Sequence, residues 1–310
     1  MRIVSLLPAA TEIVGILGQA DHLVGVSHEC DYPPEVNAKP RVTHCPIYGA
    51  GLSSAAIDRW VRETLASTGT LYTLDEPLLH DLKPDLILTQ RLCDVCAVGF
   101  GSVMALAAAL PGPPQVVNLE PSCLADIFEN IRCVGRVLGV PERADAAITE
   151  LSGRVEAAQA RLAHVRQRPK CFLMEWIDPP YCSGHWGPEL VELAGGVEPL
   201  GRKGRDSTRI PWDTVLDAQP DAIVLACCGQ HSQRTLADLP ILRQYPGWES
   251  LPAVRSGRVF AVDGSAYFSR PGPRIVDSLE ILAEILHPNL FRGCYPDRGT
   301  LCVEAAKSCV

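Results

Sequence analysis

The sequence predicts an α/β protein of two lobes joined by one long α-helix. Strand-like apolar runs alternate with helical patterns on both sides of the chain's middle. Between them, residues 141–168 favour helix without interruption. A short pattern, Leu82-Lys83-Pro84-Asp85-Leu86-Ile87, also returns in the second half as Ala218-Gln219-Pro220-Asp221-Ala222-Ile223. In each copy a helix ends, Pro-Asp turns the chain and a buried strand begins. The lobes are expected over 1–140 and 169–288, with the linking helix over 141–168 and an irregular tail over 289–310.

The linking helix carries its own signals. Pro141 suits a first helical turn, and Glu142 and Asp145 sit near the positive end. Arg166 and Arg168 sit near the negative end, and Pro169 marks the stop. Ala147, Leu151, Val155, Ala158, Leu162 and Val165 recur at helical spacing, so one stripe is buried. At full length the helix would span about 40 Å.

In the first lobe, strands are expected at Ile3–Leu7, Leu23–Val26, Leu71–Leu74, Leu86–Thr89 and Val116–Leu119. Helices are expected at Thr11–Leu17, Ala55–Ser67, Val103–Leu110 and Ser122–Leu138. The second lobe repeats the theme, with strands at Cys171–Glu175, Ala222–Ala226 and Val259–Val262. Its helices are expected at Pro188–Ala194, Trp212–Ala218, Pro240–Gln244 and Pro273–Leu286. Such alternation implies mainly parallel, Rossmann-like sheets covered on both faces.

The totals narrow the function classes. Apolar residues make up 47% of 310, as in a folded globular chain, and the net charge of −8 disfavours a nucleic-acid partner. No apolar run reaches the length of a membrane span. The first residues, MRIVSLLPAATEIVGILG, are broken by Pro8 and Thr11-Glu12 and read as strand, turn and helix, not as a signal peptide. An odd count of 13 scattered cysteines is poor material for a disulfide framework. Both features lead to the expectation of a cytoplasmic protein.

Ligands of open parallel sheets sit beyond the carboxyl ends of the strands. Those positions hold much of the chain's His, Cys, Trp and Tyr: His28, Glu29, Cys30, Asp31 and Tyr32; Cys93 and Cys96; Glu175, Trp176, His185 and Trp186; Cys227 and Cys228; Tyr267. If they converge on one gap between the lobes, flat faces with a few polar groups suit a large, partly apolar ligand.

The segments RIVSLLPAATEIVGILG, LVGVSHECDYPPEV, LKPDLILT, EWIDPPYCSGHWGPELVELAGG, IPWDTVLDAQPDAIVL and YFSRPGPRIVDSLEIL carry a resemblance, in order, on both sides of the linking helix. They resemble the ABC-importer solute-binding proteins for cobalamin and iron complexes, and most of all the cobalamin-binding branch. The resemblance implies a periplasmic-binding-protein-like fold with a helical backbone and a corrinoid, or a related metal tetrapyrrole, held between the lobes. It places Tyr32 and Tyr267 near the corrin ring. Asp31, Glu175, Trp176, His185 and Trp186 complete the expected ligand-binding set, with His185 either an axial metal ligand or a rim donor. The places it assigns to acidic permease-docking residues fall near Ala97 or Val98 and at Ser269, none of them acidic. The expectation is thus a cytoplasmic relative, not docked to a permease, that delivers, stores or senses its ligand without chemistry of its own.

Cys93-x-x-Cys96 supports a second reading. With His28 and Cys30 it would form a His-Cys₃ set for zinc or an iron–sulfur cluster, in a metal-bearing protein or an enzyme. Inert loop thiols are the plainer alternative. Cys227 and Cys228, being adjacent, are expected to point apart.

Overall fold

The computed structural model describes residues 1–91, 99–295 and 298–303. The chain divides into two compact units, residues 1–121 with 125–149 and residues 122–124 with 150–310.

The first unit contains β1 (Ile3–Ser5), β2 (Leu23–Val26), β3 (Thr43–His44), β4 (Thr73–Leu74), β5 (Leu86–Thr89) and β6 (Gln115–Asn118). Four of them form a parallel sheet in the order β2-β1-β5-β6, and β3 and β4 pair separately and antiparallel. All four residues of β5 are buried, which is why it reads as an unbroken apolar run. The strand expected over Ile3–Leu7 stops at Ser5, because Pro8 opens a helix, Pro8–Ile16, and Leu6 and Leu7 form the turn. Helix Glu76–Leu82 escaped the sequence reading, since seven residues show little period. A capping aspartate starts it: Asp75 accepts the Leu78 N–H at 3.0 Å. Val4, Leu6, Val42, Leu79, Ile87 and Val103 form a core cluster of this unit.

The second unit contains β7 (Cys171–Trp176), β8 (Tyr181–Cys182), β9 (Thr208–Arg209), β10 (Ala222–Leu225), β11 (Val259–Ala261) and β12 (Leu301–Cys302), in the order β12-β11-β10-β7-β8-β9. Only β7, β10 and β11 are parallel; β8, β9 and β12 run antiparallel at the edges. The expected mainly parallel sheet is therefore confined to the centre. Asp178-Pro179-Pro180 folds the chain back after β7, and two-residue strands leave no periodic trace in a sequence.

The internal repeat proves to be geometric as well as sequential. Lys83 and Gln219 both end their helices with positive φ, 45° and 47°. In each copy the following aspartate reaches the residue before the unit's first strand. Asp85 accepts the Arg2 N–H at 2.6 Å, and Asp221 accepts the Lys170 N–H at 2.8 Å. The aspartates' own N–H groups donate back to the Arg2 and Lys170 carbonyls, both at 2.8 Å. Each Pro-Asp thus pins the start of one sheet.

The linking helix runs over Pro141–Leu162, 22 residues and about 33 Å, six residues short of expectation. It ends where its buried stripe ends. Ala144, Ala147, Leu151, Val155 and Ala158 are buried, whereas residues 163–168 are exposed apart from half-buried Val165. The Val165 N–H closes the last turn onto the Leu162 carbonyl at 2.9 Å. In the first unit the helix passes so close to helix Leu124–Val137 that a Cβ on Gly135 would lie 2.5 Å from that of Ala144.

One carboxylate holds much of the second unit's β7 connection. Glu198 accepts the N–H groups of Leu173 at 2.7 Å, Leu200 at 2.9 Å and Gly201 at 3.1 Å. Burial pushes its carboxyl up to about 7 against the pull of those three donors. Glu198→Ala is expected to cost about 3 kcal/mol, since it strands three backbone donors. Denaturant unfolding measures the loss, and Glu198→Gln should lose clearly less, because an amide oxygen still accepts.

Candidate functional site

In the first unit the strand order reverses at β1, so the carboxyl ends of β1 and its neighbours are where a ligand is expected. A buried polar chain ties these ends together. Thr11 Oγ1 lies 2.8 Å from Ser5 Oγ and 3.0 Å from Cys30 Sγ, and Cys30 Sγ lies 3.6 Å from Ser27 Oγ. Arg41 Nη1 clamps the same loop, donating to the carbonyls of Ser27 at 3.1 Å and Cys30 at 2.5 Å.

His28 stands on this clamped loop. Its backbone nitrogen and its Nδ1 both meet Thr43 Oγ1, at 2.9 and 2.7 Å. Tyr48 meets the imidazole edge-on at 5.0 Å, and Tyr72 lies at 5.4 Å. Burial, helped by His44 and Arg41, lowers the His28 pKa to about 4, so the ring is neutral. Its Nε2 is buried with no hydrogen-bond partner among the described residues. Tyr32 and Tyr48 are 44% and 61% exposed, and Asp31 is exposed next to Tyr32.

Of the four residues read as a metal set, Cys93 and Cys96 lie outside the described residues. The other two face different partners: His28 meets Thr43, while Cys30 is 1% exposed against Thr11 and Ser27. Among the described residues, no group of three or more His, Cys, Asp or Glu is placed to hold a metal ion. Cys227 and Cys228 do point apart, one buried with its thiol pushed up to about 12 and the other exposed.

In the second unit Glu175 and Trp176 form the end of β7 itself. Glu175 Oε2 accepts a short hydrogen bond from the Ser207 hydroxyl, and Oε1 accepts the Gly184 N–H at 3.4 Å. Trp176 is half-buried and packs against the unit's core. His185 has a positive φ of 49°, held by its N–H on the Arg205 carbonyl at 2.6 Å and by its carbonyl on the Gly204 N–H at 2.8 Å. Its Nε2 lies 3.3 Å from Asp206 Oδ1; burial lowers its pKa and Asp206 opposes the shift. Trp186 is buried and donates its indole N–H to the Phe268 carbonyl at 2.9 Å. It thereby joins the His185 loop to the π-helical turn Gly264–Phe268, which carries Tyr267. The Arg274 guanidinium stacks 5.4 Å from the Tyr267 ring centre, and burial raises the phenol's pKa.

Sequence reasoning missed Thr43, Tyr48, Tyr72, Ser207, Asp206 and Arg274. Only Tyr48 left a signal: it opens Tyr48-Gly49-Ala50-Gly51, an aromatic in a turn whose two glycines have φ of 75° and 65°.

Two α/β units joined by one long helix, with aromatic and imidazole side chains on strand-end loops, define the class of solute-binding proteins with a helical backbone. Residues 3–266 match the periplasmic binding protein family, and the chain belongs to it. A vitamin B12-binding protein of Vibrio cholerae is 24% identical over 290 residues, covering 90% of this chain and 86% of that protein. An uncharacterized ABC transporter substrate-binding lipoprotein of Bacillus subtilis is 22% identical over 298 residues, covering 94% and 81%. Among solved structures, the periplasmic heme-binding protein of Roseiflexus sp. RS-1 aligns with a TM-score of 0.70 at 22% identity, over 93% of this chain and 98% of that one. The periplasmic vitamin B12 binding protein of Vibrio cholerae aligns with a TM-score of 0.66 at 23% identity, over 92% and 96%. At these identities the structural likeness shows the fold.

Proposed function

We propose that this protein is a binding protein for a metal-bearing tetrapyrrole, a corrinoid of the cobalamin type before a haem. The observation that carries the reading is a neutral His28 between Tyr48 and Tyr72, just past the carboxyl end of β2 in a parallel sheet, with Tyr48 left 61% exposed. Flat, partly apolar macrocycles are bound by such faces. The relatives named for vitamin B12 and heme support the same ligand class. On this reading Asp31 and Tyr32 are the candidate contacts of the first unit; in the second unit, described by itself, Glu175, His185 and Tyr267 stand at or just beyond strand ends in the same way. Trp176 and Trp186 hold the second unit's loops in shape.

The compartment belongs to the reading as well. Ile3, Val4, Leu6, Leu7, Ile13, Val14 and Leu17 are buried in the first unit. Cell fractionation checks the expected cytoplasmic address; recovery from the periplasm or the membrane would contradict it.

Thermal unfolding with added ligand tests the binding. A ligand at about 100 times its Kd stabilises the folded state by about 2.7 kcal/mol. The unfolding temperature should rise with cyanocobalamin, dicyanocobinamide or haemin, and not with a metal-free sugar of similar mass. No rise with any of the three would count against the proposal.

A further inference from the structure

Thr43 settles more about His28 than its position. The His28 backbone N–H can only donate, so it occupies one lone pair of the Thr43 hydroxyl oxygen. That hydroxyl has one hydrogen, and among the described residues Nδ1 is the only acceptor it meets. Two arrangements of a neutral ring are open. If Thr43 donates to Nδ1, the ring proton sits on Nε2, and one group, the Nε2–H, is left without a partner. If Nδ1–H donates to Thr43, both the hydroxyl hydrogen and the Nε2 lone pair are stranded. Thr43 is 6% exposed and Nε2 is buried, so each stranded group is costly. The first arrangement strands fewer.

From this count we infer that His28 presents an Nε2–H donor to the bound ligand, and that its acceptor is a peripheral oxygen, an amide carbonyl or a carboxylate, not the ligand's metal. The inference rests on the proposed tetrapyrrole function and adds the role of one residue to it. Metal ligation needs the Nε2 lone pair, so the ring proton would have to sit on Nδ1 and the Thr43 hydroxyl hydrogen would be stranded. Peripheral amides are the chemistry of corrinoids and peripheral carboxylates that of haems, so the same donor serves either. The loop is built to hold it still: Arg41 clamps both ends of Ser27–Cys30, and Cys30 anchors to Thr11.

Two measurements test it. In protein labelled with ¹⁵N-histidine, long-range ¹H–¹⁵N correlation at neutral pH should show His28 as the Nε2–H tautomer, with the signal assigned by its loss in His28→Gln. Absorption titrations with cyanocobalamin and haemin should then show His28→Ala binding at least about tenfold more weakly. His28→Gln should recover most of that loss, because its amide N–H replaces the ring donor. The visible spectrum of the bound ligand should be the same in wild type and His28→Ala. An Nδ1–H tautomer, a changed spectrum of the bound metal in His28→Ala, or wild-type affinity in that variant would each overturn the inference while leaving the binding function in place. A wild-type protein that binds neither macrocycle overturns the function and this assignment together.

Discussion

Gly264→Ala should lower the unfolding free energy of the second unit by about 3 kcal/mol, at the upper end of what overpacking costs. An added Cβ would lie 2.2 Å from the Cys227 carbonyl oxygen, 2.8 Å from its carbon and 2.9 Å from the Ala226 carbonyl carbon. These are backbone atoms just past β10, the strand paired in register with both β7 and β11, so no flexible side chain can give way. The start of the turn is fixed twice. Asp263 accepts the Ala266 N–H at 2.7 Å, and the Ser265 N–H donates to the Gln230 carbonyl at 3.1 Å. Because Tyr267 rides on this turn, ligand affinity should fall with stability. Gly153→Ala supplies a control of opposite sign. Gly153 is exposed within the linking helix with nothing within 4 Å of an added Cβ, and alanine there should stabilise by up to about 1 kcal/mol. Denaturant titration of both variants reads the contrast.

Glu280→Gln should cost a similar amount, about 3 kcal/mol, through a different cause. Glu280 is 4% exposed and receives Arg154 in bidentate fashion, Nε to Oε1 at 3.0 Å and Nη2 to Oε2 at 2.7 Å. Arg298 Nη2 joins the same Oε2 at 2.7 Å, and both arginines also reach Asp277. Two cations and two anions balance in a largely enclosed place. Removing one charge leaves an excess cation there, and breaking such a set is expensive even where replacing all of it is not. Arg154 is about a third exposed, which holds the expected cost to the lower end of the range. Arg154→Ala combined with Glu280→Gln should lose less than the sum of the single changes, with a coupling of roughly 1 kcal/mol or more, as expected of charges that share partners. This network ties the linking helix to helix Ile275–Leu286 and to the segment beyond it.

The parts of this architecture that were legible in the sequence are those with a period or a punctuation mark. β2, β5 and helix Trp212–Ala218 stand at their expected bounds, because buried parallel strands are unbroken apolar runs and short helices between Pro and an αL cap are marked at both ends. The Pro-Asp repeat was legible as a turn; that its aspartates reach Arg2 and Lys170 was not, since sequence separation conceals such contacts. Burial set the end of the linking helix at Leu162, overriding the Pro169 stop and the basic residues before it. β8 and β9 were invisible because a two-residue strand has no pattern. The same reason hid the surroundings of His28. Thr43 lies on the two-residue β3 and Tyr48 in the loop after it, so the imidazole could be picked out as unusual while the groups that set its role could not.

The proposed activity is the binding of a metal tetrapyrrole. Calorimetric titration of the purified full chain with dicyanocobinamide, cyanocobalamin and haemin tests it most directly. Saturable binding of at least one of them is expected, with a Kd of about 1 μM or tighter, near −8 kcal/mol. Heats indistinguishable from dilution for all three, at concentrations up to about 100 μM, would contradict it.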